Sequence, residues 1–223
     1  MLKQTLRIAI LSFVTLLSNA VLAQPTIANI DEEVKLLSTK VKNLDPKIVK
    51  LGLEAYYKAK TQGLVSKDVL TIVDYSKSAE ENRLFVFDLN SHRVLFQELV
   101  AHGVNSGKDL PTSFSNHPRS LKSSLGVFVT GQPYVGQHGY SLRLNGLEKG
   151  FNDMAAARKI VMHAAYYVSH SFARMNGGVG HSWGCFALNP KTTQPIIDTI
   201  KNGTLLFAYA PNREWLKHSR FLS

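Results

Sequence analysis

From Asp68 onward the chain is written in short β-prone runs, 69–73, 83–88, 93–101, 126–130 and 141–144, each bounded by turn residues, and 203–210 reads as a last strand. Runs this short and this regularly interrupted argue for a sheet. The segment before them reads differently. Residues 31–44 put Val34, Leu37, Val41 and Leu44 at helical spacing, and Asp45-Pro46 then opens a second helix as N-cap and first-turn residue, running to about Lys60 with Gly63 as its stop. Helices first and strands afterwards predict an α+β fold, mainly β, with N-terminal helices packed on the sheet. Residues 105–124, rich in Ser, Pro, Asn and Lys without periodicity, read as a long loop, and loops of that length inside a domain are usually functional or mobile.

Lys3 and Arg7 precede the apolar run 8–17, and Val21-Leu22-Ala23 offers small residues to signal peptidase, so residues 1–23 read as a secretory signal peptide. The run is ten residues long, short of the roughly 20 that span a bilayer. An uncleaved anchor is the competing reading. Residue 24 is Gln rather than Cys, so lipoprotein processing has nothing to acylate. The expected organisation is a signal peptide over 1–23, a helical segment over 24–67 and one domain over 68–223, with the mature protein periplasmic or secreted and not stably inserted in membrane.

With 44% hydrophobic residues the chain has material for a core, which argues against disorder. Its 26 basic residues outnumber 16 acidic ones; removing residues 1–23, which hold two of the basic residues and none of the acidic, leaves +8. That balance favours an anionic partner, and for an exported protein the nearest are cell-wall glycopeptide and lipid headgroups. No compact Lys/Arg block with interleaved aromatics is present, so no nucleic-acid partner is expected. A solvated basic surface is the plainer reading of the same charge. A monomer is expected.

The chain has a single cysteine, Cys185, so no intramolecular disulfide can close and no site needing two cysteine ligands can form within it. Polar and glycine-rich flanks surround it: Gly180-His181-Ser182-Trp183-Gly184-Cys185, preceded by Ile160-Val161-Met162-His163. A thiolate nucleophile needs a base, because the free thiol ionises near about 8.5, and a turn that exposes sulfur beside amide donors. His163, at the end of an apolar strand-like run, can be that base. Gly184 permits a tight turn, and the amides of residues 183–185 are candidates for an oxyanion hole. The alternative for Cys185 is a buried small hydrophobe, although export makes a free thiol an oxidation risk. Tyr166, Tyr167 and Phe172, at near-helical spacing, are expected in the core.

These residues carry a resemblance. The segment HSWGC, with a histidine upstream, resembles the Ser/Thr-x-Gly-Cys signature of the L,D-transpeptidase catalytic domains of the YkuD superfamily. The strings Leu125-Gly-Val-Phe-Val-Thr-Gly-Gln-Pro-Tyr134 and His138-Gly-Tyr-Ser-Leu-Arg-Leu-Asn-Gly-Leu-Glu148 are similar to its murein L,D-transpeptidase branch. The similarity covers roughly residues 45–210. It implies a sandwich- or barrel-like β catalytic domain in which Cys185 attacks the amide between the L-centre of diaminopimelate and the following D-alanine of a peptidoglycan stem. D-alanine leaves, and a second diaminopimelate amine resolves the thioester into a 3-3 crosslink. With water as acceptor, the same enzyme is an L,D-carboxypeptidase. His163 would be the base, Ser182 a supporting hydrogen-bond group and Gly184 the residue that shapes the turn, with no cofactor and no metal.

The chain departs from the family pattern in three places. Many superfamily members place Arg two residues after the cysteine, where this chain has Ala187. Ala164 follows the catalytic histidine where the closer branch often has Gly, and His181 stands where an arginine is expected. His181 could bind a substrate carboxylate or sit on the surface, and Trp183 is grouped with it as a substrate-binding candidate. His138 rivals His163 as base, but His163 lies 22 positions before Cys185, near the superfamily's separation, so His138 is assigned to the cleft lining. Arg143 and Glu148 alternate with apolar residues as strand positions do, so Arg143 either holds a stem carboxylate or forms a strand ion pair. Two other classes compete with the enzyme reading. A zinc hydrolase could draw on His138, His163 and His181, although no His-Glu-x-x-His pair is present. A non-catalytic wall-binding protein could keep the fold without turnover.

Overall fold

The computed structural model of the protein describes residues 27–222; the expected signal peptide lies outside the described residues. Helix α1 (Ile27–Ser38) and helix α2 (Pro46–Thr61) come first. The first ends well short of residue 44. Val41 and Leu44 lie in the turn after it yet are 2% and 3% exposed, so their spacing reports burial rather than helix. That turn is needed because Asp45 must leave the helical region ahead of Pro46 and accept the Lys47 N–H at 2.8 Å as N-cap. At the other end Gly63 takes φ 68°, the left-handed stop expected from its position.

Eight strands follow: β1 (Val69–Asp74), β2 (Leu84–Asp88), β3 (Arg93–Glu98), β4 (Gly126–Gly136), β5 (Gly139–Gly146), β6 (Val161–Ala164), β7 (Phe186–Leu188) and β8 (Leu205–Tyr209). They form one mixed sheet in the order β3-β2-β1-β8-β4-β5-β6-β7. The pairs β1/β8 and β6/β7 are parallel and the rest antiparallel. Helix α2 lays Val49, Leu53 and Tyr56 against the β1/β8 centre, all buried. A Cβ on Gly52 would sit 2.9 Å from Ile72 Cδ1, so this glycine sets how closely the helix approaches the sheet. Truncating a side chain as buried as Leu53 costs about 2–5 kcal/mol.

The sheet departs from the sequence reading at two runs. The run at 93–101 pairs with β2 only as far as Glu98; beyond it, Val100 pairs with Leu188 and the Ala101 N–H donates to Ala187 O at 2.9 Å, covering the outer edge of β7. The run at 126–130 continues to Gly136 because the register shifts between Thr130 and Pro133, a break where proline's missing N–H is tolerated.

Helices also follow the strands, contrary to the expected order: α3 (His170–Asn176), α4 (Pro190–Ile200) and α5 (Arg213–His218). α4 is poor in helix formers, but Asn189 caps it, Pro190 starts it, and Thr193, Ile196, Ile197 and Ile200 bury one face. Tertiary burial overrides propensity there. Residues 105–124 contain no helix or strand, as expected of a loop, and are tied down by their own serines: Ser123 N–H donates to Ser106 Oγ at 2.9 Å and Lys122 Nζ to Ser113 Oγ at 2.7 Å.

Candidate active site

Strand alternation decides which side chains meet. Leu142, Met162 and Phe186 are register partners on three adjacent strands and are fully buried in the core. Their neighbours therefore share the opposite face. Ser141 pairs with His163, His163 with Ala187, and Arg143 with Val161. One step before β7, Cys185 falls opposite Val161, which makes it a diagonal neighbour of His163 on that face. The sequence-based pair is brought together by two short strands, one of which, β7, was not foreseen.

The Cys185 Sγ–H donates to Lys159 O at 3.6 Å. Burial pushes the thiol up, opposed by the Val161 N–H and the positive charge of Arg158. Lys159 takes φ 56°, a strained conformation for a residue with a side chain, and this turns its carbonyl toward the sulfur. Among the described residues the sulfur is not hydrogen-bonded to His163. Such contacts often tighten only when substrate is bound.

His163 is 4% exposed, and its Nδ1 lies 2.9 Å from Ala164 O. A carbonyl can only accept, so the neutral ring carries its proton on Nδ1 and keeps the lone pair on Nε2. Burial holds this imidazole below its ordinary pKa, and His138 adds to the effect while the Ala164 bond opposes it. His138 sits in the two-residue turn of the β4/β5 hairpin, its ring stacked on His163 with centres 4.3 Å apart. The cleft-lining assignment of His138 thus becomes a direct contact with the other imidazole.

The turn before Cys185 is built by Ser182. Its hydroxyl donates to Cys185 O at 2.7 Å and accepts the Gly184 N–H at 3.1 Å. Its own backbone is fastened to the strand-like segment after β3, with Ser182 N–H donating to His102 O at 2.9 Å and Val104 N–H to Ser182 O at 2.8 Å. Gly184 takes φ 113°, and a Cβ there would lie 2.6 Å from Lys122 O. Of the three amides considered for an oxyanion hole, that of Gly184 is therefore already committed. Trp183, two residues before Cys185, is 76% exposed.

A cleft of about 330 Å³ opens along this face, lined by Tyr134, Arg143, Asn145, Lys159 and Val161 among others. Arg143 lies 4.4 Å from the Tyr134 ring centre and has no carboxylate partner among the described residues, so the strand ion pair is not formed. Glu148 lies beyond β5 and is buried, accepting from Val127 N–H at 2.7 Å and from the Trp215 indole at 3.1 Å. It braces the fold rather than the cleft.

His181 is partly exposed and is not among the residues lining this cleft; its Nε2 lies 2.7 Å from Lys108 O and its ring packs edge-on against His102. His138, His163 and His181 therefore do not converge. Among the described residues no three His, Cys, Asp or Glu side chains are arranged to hold a metal ion. Ala187 is fully buried opposite His163, so an arginine has no room there. Tyr166 is 81% exposed, against the expectation of a core position, because it follows β6 in a turn and only Phe172 of its trio is helical.

Three site residues escaped the sequence reading. Arg158 and Lys159 flank the sulfur from the turn before β6, and nothing in Ala-Ala-Ala-Arg-Lys distinguishes them from surface cations. Arg83 is fully buried behind Ser182, donating to Val100 O and, at 2.8 Å, to His102 Nδ1. Burial together with that guanidinium drives His102 down to about 4.

Against solved structures the chain is similar to an L,D-transpeptidase from Mycobacterium smegmatis (14% identity, 64% of this chain and 59% of that one, TM-score 0.38). It is also similar to L,D-transpeptidase 1 of Mycobacterium tuberculosis (11%, 65% and 63%, 0.36) and to an L,D-transpeptidase from Stackebrandtia nassauensis (12%, 83% and 78%, 0.38). The chain spans about three fifths of the length of the first two of these. No curated protein matches it. The L,D-transpeptidase catalytic domain family model matches residues 40–209, well over half of the sequence, and the chain belongs to that family.

Proposed function

We propose that the chain is a peptidoglycan L,D-transpeptidase working through a Cys185 thioester. The observation that carries this reading is the shared face of His163 on β6 and Cys185 one residue before β7, with the His163 lone pair on Nε2. His163 Nε2 takes the thiol proton, and the thiolate attacks the carbonyl carbon between the L-centre of diaminopimelate and D-alanine. The Cys185 amide, within the Ser182-braced turn, faces the oxyanion. As the C–N bond breaks, His163 returns the proton to the departing D-alanine amine, leaving a thioester. The side-chain amine of a second diaminopimelate then attacks, gives up its proton through His163, and expels Cys185 as the thiol. Arg143 and Lys159, cations in a cleft whose named lining has no carboxylate, suit the acidic stem. The +8 left after loss of residues 1–23 suits the same wall polymer.

The test is mass spectrometry of the intact protein after incubation with a carbapenem and, separately, with tetrapeptide muropeptides. An adduct on Cys185 and release of D-alanine are expected, both lost in Cys185→Ser. No adduct together with unchanged muropeptides overturns the reading. Crosslinked dimers among the products distinguish transpeptidation from tripeptides left by carboxypeptidase action. Loss of activity in EDTA, restored by zinc, overturns the thiol mechanism.

A further inference from the structure

Arg158 is a half-buried cation that pairs with no carboxylate among the described residues. Its four hydrogen bonds all go to neutral oxygens of the long loop: Nη1 donates to Ser115 O at 2.5 Å and Ser124 Oγ at 2.6 Å, Nη2 to Lys122 O at 2.6 Å and Ser120 Oγ at 3.1 Å. On its other side, Nη2 lies only 3.3 Å from where a Cβ of Gly184 would stand. The guanidinium therefore fills the space between the loop and the turn that carries the nucleophile. Neutral acceptors satisfy its donors without cancelling its charge, and keeping an uncompensated cation out of water is costly.

Few groups could answer that charge. The ionisable side chains that feel the Cys185 sulfur are Arg158, Tyr167 after β6 and Tyr75 at the end of β1, with His163 its diagonal neighbour on β6. Burial pushes Tyr75 and Tyr167 up to about 12, so both stay neutral. Burial holds His163 down. Lys159 meets the sulfur through its backbone carbonyl, so Arg158 is the one fixed charge in this set, and a Cys185 thiolate is the one anion the set can produce.

We propose that Arg158 is a positioning residue that clamps residues 115–124 against the Gly184 turn and stabilises the Cys185 thiolate. This rests on Cys185 being the nucleophile, but its test needs no turnover. The rate of Cys185 alkylation by iodoacetamide is followed against pH in the wild type, Arg158→Gln and Arg158→Lys. At pH 7 the Gln variant is expected to react roughly tenfold more slowly, with its profile displaced to higher pH, and the Lys variant within about threefold of wild type. Both variants are expected to be nicked faster in the loop by a dilute protease.

A Gln profile superimposed on wild type overturns the proposal. So does a Lys variant slowed as much as Gln, since donor geometry and not charge would then be at work. Should the Gln variant not fold, the Lys variant decides alone: alkylation at pH 7 within about threefold of wild type upholds the proposal, and a roughly tenfold loss overturns it. A thiol that responds to Arg158 in a protein inert toward muropeptides upholds this proposal and overturns the functional one.

Discussion

The His138 imidazole lies against that of His163 with ring planes 19° apart, although the two come from a hairpin turn and a buried strand. The stack covers one face of the proposed base. It also sets a second titratable ring where any charge it gains disfavours charge on His163, adding to the burial that already holds His163 low. A base must be neutral to act, so a depressed pKa extends activity toward acid. His138→Ala removes cover and charge together, and His138→Phe removes charge alone. Both are expected to move the acid limb of kcat/KM to higher pH while leaving the rate at pH 8 within about threefold. Coincident acid limbs in all three proteins would show that the stack does not tune the base.

Gly184→Ala forces a side chain into a left-handed backbone and against the Lys122 carbonyl, which is backbone and cannot rotate away. The expected cost is about 2–3 kcal/mol of stability and roughly 100-fold in turnover, since the turn must shift to admit the methyl group. Denaturant melts and thiol alkylation read the two effects separately. A variant with wild-type stability and rate is incompatible with this account of the turn.

What the sequence discloses here is local chemistry; what it conceals is juxtaposition. Asp45-Pro46 discloses a helix start because capping needs only neighbours, and Cys185 and Gly184 stand out because residue type and flanks are themselves the signal. The three-residue strand β7 and the threonine- and proline-rich helix α4 form because the core closes over them, so no propensity announces them. Arg158 reads as a surface cation until residues 115–124, some 40 positions earlier, fold onto it. Val41 and Leu44 mislead for the converse reason: helical spacing reports a buried side, and a turn can supply one.

Arg143 stands on the exposed face of β5 against Tyr134, paired across the strand with Val161 and free of any carboxylate partner. If it grips a stem carboxylate, Arg143→Ala loses a charge-assisted hydrogen bond worth about 1.5–3 kcal/mol, so KM is expected to rise roughly tenfold or more with kcat little changed. Steady-state kinetics on muropeptides with and without the terminal carboxylate amidated would expose the contact: the variant should lose the distinction between the two substrates. An unchanged KM removes Arg143 from the substrate site.

His102 makes acid stability a readout of the support behind the Ser182–Cys185 turn. Its Nδ1 accepts from Arg83 at 2.8 Å and its Nε2 lies 3.1 Å from Gly107 O, so the ring is held neutral with no exposed edge. Burial, then the Arg83 charge, lowers it to about 4. An unfolded histidine titrates near about 6.5, so above that pH both states are neutral and stability is at its full value. As pH falls from 6.5 toward 4 the unfolded chain takes up a proton that the folded one refuses, and about 3 kcal/mol drains away before the loss levels off. His102→Gln keeps an acceptor for Arg83 and a donor for Gly107 but cannot titrate. Urea unfolding at several pH values across this window should therefore give a shallower decline for the variant than for wild type, the difference reaching about 3 kcal/mol at the acid end. Parallel declines would mean that His102 accepts its proton in the folded state, and the neutral bridge between Arg83 and Gly107 would have to be given up.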